Sequence, residues 1–377
     1  MPPDAIAPEL VTEGARMARI CNACRYCEGY CAVFPALERR LDFVEGDLTY
    51  LANLCHNCGA CYYACQYAPP HDFAVNFPRM LADVRAASYR KYAWPDALAR
   101  LFERNGVVVS TVTALMLALF LVATGYAAGG NAFFAPHDDA QGAFYAVLPH
   151  AAMAWSFGVV FAIAIIVLAI GAARFWRDTE ELPRDFARTA PLLEATADTL
   201  ALTYLDGGGD GCTYPDEQPS SLRRVFHHFT FYGFLLCFAA TCAGTVYHYV
   251  LDRPAPYPFA SLPVLLGTLG GIGLVIGPLG LLWLKAQRDR ALTSEAQGGM
   301  DYAFLVLLLL VSVTGLLLLP LRETGAMGVL LAVHLGTVMA LFLTMPYGKF
   351  VHAIYRFAAL VRFHLERKRP LPGLGAE

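Results

Sequence analysis

The chain has 377 residues, of which 57% are hydrophobic and only 16% are charged, and its formal net charge is −3. This composition is too apolar for an ordinary soluble protein of this length and indicates a membrane domain. The small net charge gives no sign of a nucleic-acid partner. Residues 1–9 contain no basic segment followed by an apolar core, so no secretory signal is expected.

Two runs of four cysteines share one spacing, in which gaps of two, two and three residues separate the cysteines. A [4Fe-4S] cluster needs four converging thiolates, and the short gaps let one tight loop supply three of them. In the two-cluster pattern the last cysteine of each run binds the other cluster. The sequence therefore predicts one cluster on Cys21, Cys24, Cys27 and Cys65, and a second on Cys55, Cys58, Cys61 and Cys31.

Other uses of these cysteines fit the spacing less well. Zinc sites place ligand pairs at a longer separation, and disulfides are disfavoured in the cytosol, where clusters are assembled. One departure concerns the proline that usually follows the fourth cysteine. Cys31 is followed by Ala-Val-Phe-Pro35, and Cys65 by Gln-Tyr-Ala-Pro69, so the turn is displaced. The crossover of Cys31 and Cys65 therefore rests on the spacing alone.

The predicted fold is mostly α-helical, with a helical dicluster ferredoxin-like module at residues 1–72 and a six-helix transmembrane bundle within residues 107–352. Apolar residues between the cysteine runs recur with a helical period. Residues 73–106 mix basic and aromatic side chains, which is typical of an amphipathic linker at the lipid headgroups. A solvated linker is the alternative. Residues 353–377 are expected to form a basic cytoplasmic tail.

Six apolar segments approach or exceed the roughly 20 residues that a membrane helix needs. If residue 1 is cytoplasmic, Lys and Arg concentrate on the inner side, and the outer loops carry only Arg253 and Arg322. This bias predicts a multi-pass protein of the cytoplasmic (inner) membrane, in contact with lipid, with both termini in the cytoplasm. The six segments are residues 107–126, 150–173, 226–250, 262–284, 303–321 and 328–346.

The inner loop, residues 174–225, contains the sequence Gly-Gly-Gly-Asp-Gly-Cys-Thr-Tyr-Pro at residues 207–215. It lacks the Lys-Ser/Thr of a phosphate loop, and Cys212 stands where a dinucleotide fingerprint needs its last glycine. We therefore expect a loop that docks on the cluster module rather than a nucleotide site. An additional cluster ligand at Cys212 is the minor alternative.

Five histidines lie in or beside two apolar segments, and ionisable residues inside membrane spans are candidates for function. The third segment has His227 and His228 at its inner end and His248 at its outer end. The sixth has His334 near its outer end, and His352 follows it on the inner side. If both segments are continuous antiparallel helices, His227 lies at the depth of His352. His248 then lies within about 4.5 Å of the depth of His334.

The helical angles agree with these pairs. His334 and His352 are 18 residues apart, a whole number of turns at about 3.6 residues per turn. On the other helix, His227 is closer to alignment with His248 than His228 is. Two imidazole pairs near opposite surfaces predict one or two b-type haems stacked across the bilayer. Histidines that only reach toward the headgroups are the alternative. The predicted haem-iron ligands are His227, His352, His248 and His334, with His228 and His150 as alternates.

These residues resemble the tricarballylate (citrate) utilisation protein B family, whose members join two [4Fe-4S] clusters to a haem b membrane domain. The resemblance covers nearly the whole chain and includes both cysteine runs, residues 207–215, residues 227–234 and residues 334–352. The last segment is also similar to the haem-binding helix of the nitrate reductase gamma subunit. The resemblance implies that the protein reoxidises the reduced flavin of a tricarballylate dehydrogenase partner and passes electrons toward the respiratory chain.

The chain contains no flavin fingerprint, catalytic triad or HExxH motif, so substrate chemistry is expected on a separate soluble FAD-dependent dehydrogenase. The predicted function is electron transfer from that flavoprotein through two [4Fe-4S] clusters and haem b to a quinone, with no catalytic residue assigned. A redox-sensing iron–sulfur membrane protein and a heterodisulfide-reductase-like enzyme are the alternatives.

Overall fold

The computed structural model describes residues 6–137 and 142–370. The chain is mostly helical, which confirms the predicted fold class. The ends of the predicted module and tail, residues 1–5 and 371–377, lie outside the described residues. Five helices build the N-terminal module: α1 (Pro8–Cys24), α2 (Val33–Leu37), α3 (Glu45–Leu54), α4 (Ala60–Tyr63) and α5 (Phe77–Tyr92).

Each cysteine run begins where a helix ends. α1 starts with Pro8 in its first turn. Proline is tolerated there because backbone N–H groups in the first turn have no hydrogen-bond partner within the helix. It ends at Cys24, and Arg25 follows in the left-handed conformation with φ 55°. α3 ends at Leu54, after which Cys55 is extended. The first thiol of each run therefore stands on or directly after a helix, and Cys61 of the second run lies in the short helix α4.

α5 belongs to the cluster module, so the predicted interfacial linker is wrong over residues 77–92. The helix packs against α1 and α3, and it buries Met80, Leu81 and Val84. A stripe of apolar residues opposite basic ones has the same pattern whether the stripe meets lipid or protein. The sequence alone could not distinguish these two partners.

Among the residues that the structure describes, six helices are long and apolar enough to cross a membrane, as in a multi-pass membrane protein. Large side chains on their outer faces, such as Val122 and Trp155, are exposed as a lipid-facing surface requires. The six are α7 (Asn105–Ala127), α10 (His150–Asp178), α12 (Leu222–Tyr249), α13 (Leu262–Ala286), α14 (Glu295–Leu321) and α15 (Met327–Thr344). Helix α6 (Asp96–Leu101) and the 3₁₀ turn Phe102–Arg104 lead into α7, and α8 (Asn131–Phe134) and α9 (Ala143–Val147) precede α10.

Glycines hold α12 and α13 in close contact. A Cβ atom at Gly233 would lie 2.9 Å from the carbonyl oxygen of Gly270, and one at Gly277 would lie 2.3 Å from Thr230 Oγ1. Small residues permit this close approach of helices inside a membrane. The contact fixes the position of α12, the helix that carries His227 and two further histidines.

The inner side of the bundle is covered by the predicted inner loop and by the C-terminal helix. The loop contains a 3₁₀ turn (Pro183–Ala187), α11 (Thr189–Ala201) and a small antiparallel pair, β1 (Cys212–Thr213) with β2 (Pro219–Ser220). A further 3₁₀ turn, Arg290–Leu292, precedes α14. The last helix is α16 (Val351–Arg367).

The sixth membrane helix is confirmed, but the assumption that it continues to His352 is wrong, and so is the prediction of a basic tail. The sixth membrane helix ends at Thr344, and a turn containing Pro346 and Gly348 separates it from α16, because proline cannot continue the helical hydrogen bonds. The expected basic tail is instead largely the helix α16, which packs against α3, α10 and α11. Its buried Glu366 accepts hydrogen bonds from Arg362 Nε at 3.0 Å and from Tyr50 Oη at 3.1 Å. The charges of Arg362 and Glu366 can be buried because the two side chains form an ion pair.

Candidate functional site

Two clefts in the N-terminal module are lined by cysteines. The first has a volume of about 490 Å³ and the second about 390 Å³, including space open to solvent. Cys61 lines both, and the other seven cysteines divide as the crossover predicts. The grouping of the cysteines agrees with the two predicted ligand sets. The binding of a cluster by each set stays a prediction. The first cleft is lined by Cys21, Cys24, Cys27, Cys61 and Cys65, and the second by Cys31, Cys55, Cys58 and Cys61.

The thiols need a compensating cation to lose their protons. Burial, followed by the charge of Cys65, raises the pKa of Cys27 to about 12. Burial, followed by Cys58 and Cys55, raises the pKa of Cys31 well above its ordinary value. The thiolate is the form that binds metal, so these clefts fit a positively charged iron core rather than free thiols.

The arrangement does not suit a single metal ion. In residues 6–137 and 142–370, no three His, Cys, Asp or Glu side chains converge closely enough to hold one ion. The thiolates of a cubane cluster bind separate iron atoms and therefore stand farther apart than the ligands of one ion. The cysteine-lined clefts consequently fit a cluster better than zinc.

The inner loop packs directly on the second cysteine run. Gly59 has φ +88°, and a Cβ atom there would lie 2.5 Å from the carbonyl oxygen of Thr213. Cys212 is buried beside Cys58. A hydrogen bond from the Cys212 thiol is the main cause that lowers the pKa of Cys58 to about 6, and the same contact raises the pKa of Cys212. Cys212 is thus placed to donate a hydrogen bond to Cys58, a predicted cluster ligand. This role differs from the alternative considered above, in which Cys212 itself binds a cluster.

His227 and His352 face each other at the inner side, with ring centres 6.1 Å apart and ring planes at 74°. Two imidazoles on opposite sides of one metal atom, each with a metal–nitrogen bond of about 2 Å, have ring centres about 6 Å apart. His352 Nδ1 lies 2.6 Å from the carbonyl oxygen of Lys349. Since a carbonyl only accepts, Nδ1 carries the proton and Nε2 keeps a free lone pair, as in a metal ligand oriented by a second hydrogen bond.

Burial supports this role of His352. Desolvation, followed by the positive charges of Lys349 and Arg356, lowers the pKa of His352 well below its ordinary value. The ring is therefore neutral, which is the form that ligates metal. The inner pair fits haem iron on geometry and on protonation state.

The predicted outer pair does not form. His248 stacks on His150 with ring centres 3.7 Å apart, and its Nδ1 lies 3.4 Å from Tyr145 Oη. His334 Nδ1 instead lies 3.1 Å from Thr314 Oγ1 on α14. Across the described ranges no ring contact joins His248 to His334.

α12 packs mainly against α13, whereas α15 packs mainly against α7 and α14, so the helices of His248 and His334 are not close neighbours. The depth and angle arguments also assumed one continuous helix from His334 to His352, and the helix ends at Thr344. The stacked rings of His150 and His248 also leave no room for iron between them. His228 contacts Tyr232 on its own helix rather than His352. The structure therefore supports one imidazole pair, at the inner side.

Sequence reasoning missed Arg356, which links the second cysteine run to the inner histidines. Its Nη2 donates to the carbonyl oxygen of Cys55 at 2.7 Å, and its Nη1 lies 3.1 Å from His56 Nδ1. Arg356 stands four residues after His352, so both side chains lie on one face of α16. Two features of the sequence could have indicated this role of Arg356: its spacing of four residues from His352, and the position of His56 directly after the predicted ligand Cys55.

Cysteine-lined clefts ahead of six membrane-length helices define a multi-pass membrane protein with a ferredoxin-like N-terminal domain. Residues 14–91 match the Fer4-like domain of citrate utilization protein B, and residues 106–373 match citrate utilization protein B itself. The chain belongs to the citrate utilization protein B family. The match to residue 91 agrees with the place of α5 in the module.

A curated relative supports this membership. The chain is 51% identical over 365 residues to the citrate utilization protein B of Escherichia coli, which covers 97% of this chain and 94% of that protein. No solved structure matches the chain.

Proposed function

We propose that the protein carries electrons from a soluble FAD-dependent dehydrogenase, through two [4Fe-4S] clusters and a haem b, to a quinone in the cytoplasmic membrane. One observation carries the proposal. Arg356 bonds the loop of the second cysteine run and stands on the same helix face as His352, whose ring faces His227 at 6.1 Å. The two predicted cofactor sites are thus neighbours within one packed segment.

The chain's own residues would hold and orient these groups. When bound, the clusters and the haem supply one-electron carriers. The eight cysteines bind the clusters in the two clefts, and Lys349 orients the ring of His352 through its carbonyl oxygen. His227 and His352, which are both partly buried, would hold the haem iron. None of these roles requires a substrate site on this chain.

The first cleft is the proposed contact point for the dehydrogenase. Its cysteines lie near the surface, and Tyr26, between Cys24 and Cys27, is 68% exposed. The name of the relative refers to citrate utilization. A dehydrogenase of the tricarballylate or citrate-utilisation type is therefore the proposed partner, and it would bind on the cytoplasmic side.

The proposal is tested by cofactor analysis of protein purified without oxygen. We expect about eight acid-labile sulfides per chain for two clusters, with a haem band in the reduced-minus-oxidised optical spectrum. His227→Ala and His352→Ala should remove the haem band and leave sulfide unchanged. His228→Ala is the matched control and should keep both. A wild-type protein without haem, or full haem in His227→Ala, would refute the haem part of the proposal.

A further inference from the structure

Four arginines from four different elements surround the loop of the second cysteine run. They donate to backbone carbonyl oxygens within residues 52–57 rather than to carboxylates. Arg85 on α5 donates to Ala52 at 3.1 Å and to Cys55; Arg223 on α12 to His56 at 2.8 Å and Asn57 at 3.0 Å; Arg288, after α13, to Asn57 at 3.4 Å; and Arg356 on α16 to Cys55 at 2.7 Å and Asn53 at 3.2 Å. We call these four residues the arginine shell.

No carboxylate in the described part of the chain forms a direct ion pair with the arginine shell. Within the described ranges, none of its members is paired with an Asp or Glu, and their other side-chain partners are neutral. Both Arg223 and Arg288 lie over the ring of Tyr214, at 4.6 Å and 4.9 Å from its centre. Arg85 is buried, and the other three arginines are partly buried. Cations held together away from water are costly unless an anion compensates them.

The first cysteine run has no comparable shell. The arginine in its loop, Arg25, is exposed and donates to the carbonyl oxygen of Asn22 at 3.0 Å. On α1, Arg16 is paired with Glu13. Arg19 is likewise paired, with Asp42 at 3.4 Å. The positive charge around the two cysteine runs is therefore concentrated on the second run, on the side nearer the membrane helices.

We infer that the arginine shell is the counter-charge of an anionic cluster on the second cysteine run and raises its reduction potential above that of the first cluster. The inference rests on the proposed function. A [4Fe-4S] core with four thiolates is negatively charged and gains one further negative charge on reduction, so nearby cations favour the reduced form. At about 10 Å and an effective dielectric constant of about 20, each guanidinium favours reduction by roughly tenfold.

The shell then gives electron flow a direction. One electron leaves the first cluster, which is oxidised, and enters the second cluster, which is reduced, with no proton or bond transferred. Burial alone would oppose this direction, because a buried site disfavours the more highly charged, reduced form. The arginine shell opposes that effect with four positive charges, whereas the first cluster meets exposed charges that solvent and salt screen. Arg356 extends the shell to the face of α16 that carries His352.

The test is a redox titration of the full-length protein followed by electron paramagnetic resonance of both clusters. In Arg223→Gln and Arg288→Gln, one cluster signal should titrate at a more negative potential, with its reduced-to-oxidised ratio at fixed potential lowered roughly tenfold. The other signal should not move. Arg223→Lys keeps the charge and should titrate near the wild type. Arg25→Gln, an exposed guanidinium on the other run, is the matched control and should shift neither signal measurably.

The inference is overturned if both glutamine variants bind two clusters and shift no more than Arg25→Gln. It is also overturned if Arg223→Lys shifts as far as Arg223→Gln, since charge is then not the cause. Iron and sulfide are measured for every variant, and Arg288→Gln, which removes a single long hydrogen bond, decides the result if Arg223→Gln loses its cluster. A wild-type protein without clusters would instead refute the proposed function.

Discussion

At the scale of single residues, backbone groups prepare the two kinds of predicted ligand. The carbonyl oxygen of Lys349 fixes the proton of His352 on Nδ1, and carbonyl oxygens of the second cysteine run receive the arginine shell. Gly59 brings the same loop within reach of the inner loop, because its φ of +88° and missing Cβ allow Thr213 to approach. The ligand loops therefore depend on residues that bind no metal themselves.

Gly59→Ala should damage the second cluster site. The new Cβ would lie 2.5 Å from the carbonyl oxygen of Thr213, and alanine is strained at this φ by about 1–3 kcal/mol. We expect a marked loss of acid-labile sulfide, toward the one-cluster value, measured per chain after anaerobic purification. Gly29→Ala is the control, because no atom lies within 4 Å of its added Cβ. Equal sulfide in the two variants would contradict this account of the loop.

The predicted cysteine ligand sets rest on a local signal, and they stay a prediction. The gaps within each cysteine run are set by one loop, and the clefts group the cysteines accordingly. The His227–His352 pair was anticipated because both residues lie at the inner surface, although they are distant in sequence. The His248–His334 pair failed because α12 packs mainly against α13 and α15 against α7 and α14, which is a tertiary arrangement that helical spacing does not reveal.

At the scale of secondary-structure elements, α5 and α16 show what sequence patterns cannot decide. Both combine apolar and basic residues, which suggested an interfacial linker and a solvated tail. Both are packed against α3, and α16 also meets α10 and α11. The residue pattern of an amphipathic helix shows that one face is apolar, but it does not show whether that face packs against lipid or protein. These two helices connect the cluster module to the membrane bundle.

Glu366→Gln should loosen the connection between α16 and the cluster module. Glu366 is 9% exposed and pairs with the equally buried Arg40, and it also accepts from Arg362. Removing its charge should lower the free energy of unfolding by about 3 kcal/mol, the lower end for breaking a buried pair, because Asp47 still neutralises Arg40. The measurement is chemical unfolding in detergent, followed by circular dichroism.

An exposed ion pair in the same module supplies the control for that variant. Glu13 and Arg16 are 43% and 41% exposed, so Glu13→Gln should change the unfolding free energy by less than about 1 kcal/mol. A comparable loss in both variants would show that burial of the α16 pair has no special effect on stability.

At the scale of the whole molecule, the helices divide its surface into two polar sides and an apolar belt. The cluster module, the inner loop and α16 pack together on one side of the six membrane-length helices. The short loops with α8 and α9, and the loop between α12 and α13, lie at the other ends of these helices. We propose that the first side faces the cytoplasm, because Lys and Arg of the sequence concentrate there.

Protease accessibility tests this topology at two matched turns. Glu180 and Asp252 are both exposed and both have a positive φ, 60° and 50°. A cleavage site inserted after Glu180 should be cut in inverted membrane vesicles and protected in spheroplasts. A site after Asp252 should show the opposite pattern. Cleavage of both sites from the same side would refute the predicted orientation.

The central claim is that cytosolic clusters feed electrons to a haem held inside the membrane by His227 and His352. It is tested most directly by the rate of haem reduction in inverted vesicles after addition of a membrane-impermeant one-electron donor. We expect rapid haem reduction in the wild-type protein, and a rate at least roughly tenfold lower in Cys58→Ala, which lacks a predicted ligand of the second cluster. Equal rates in the two proteins would contradict the claim.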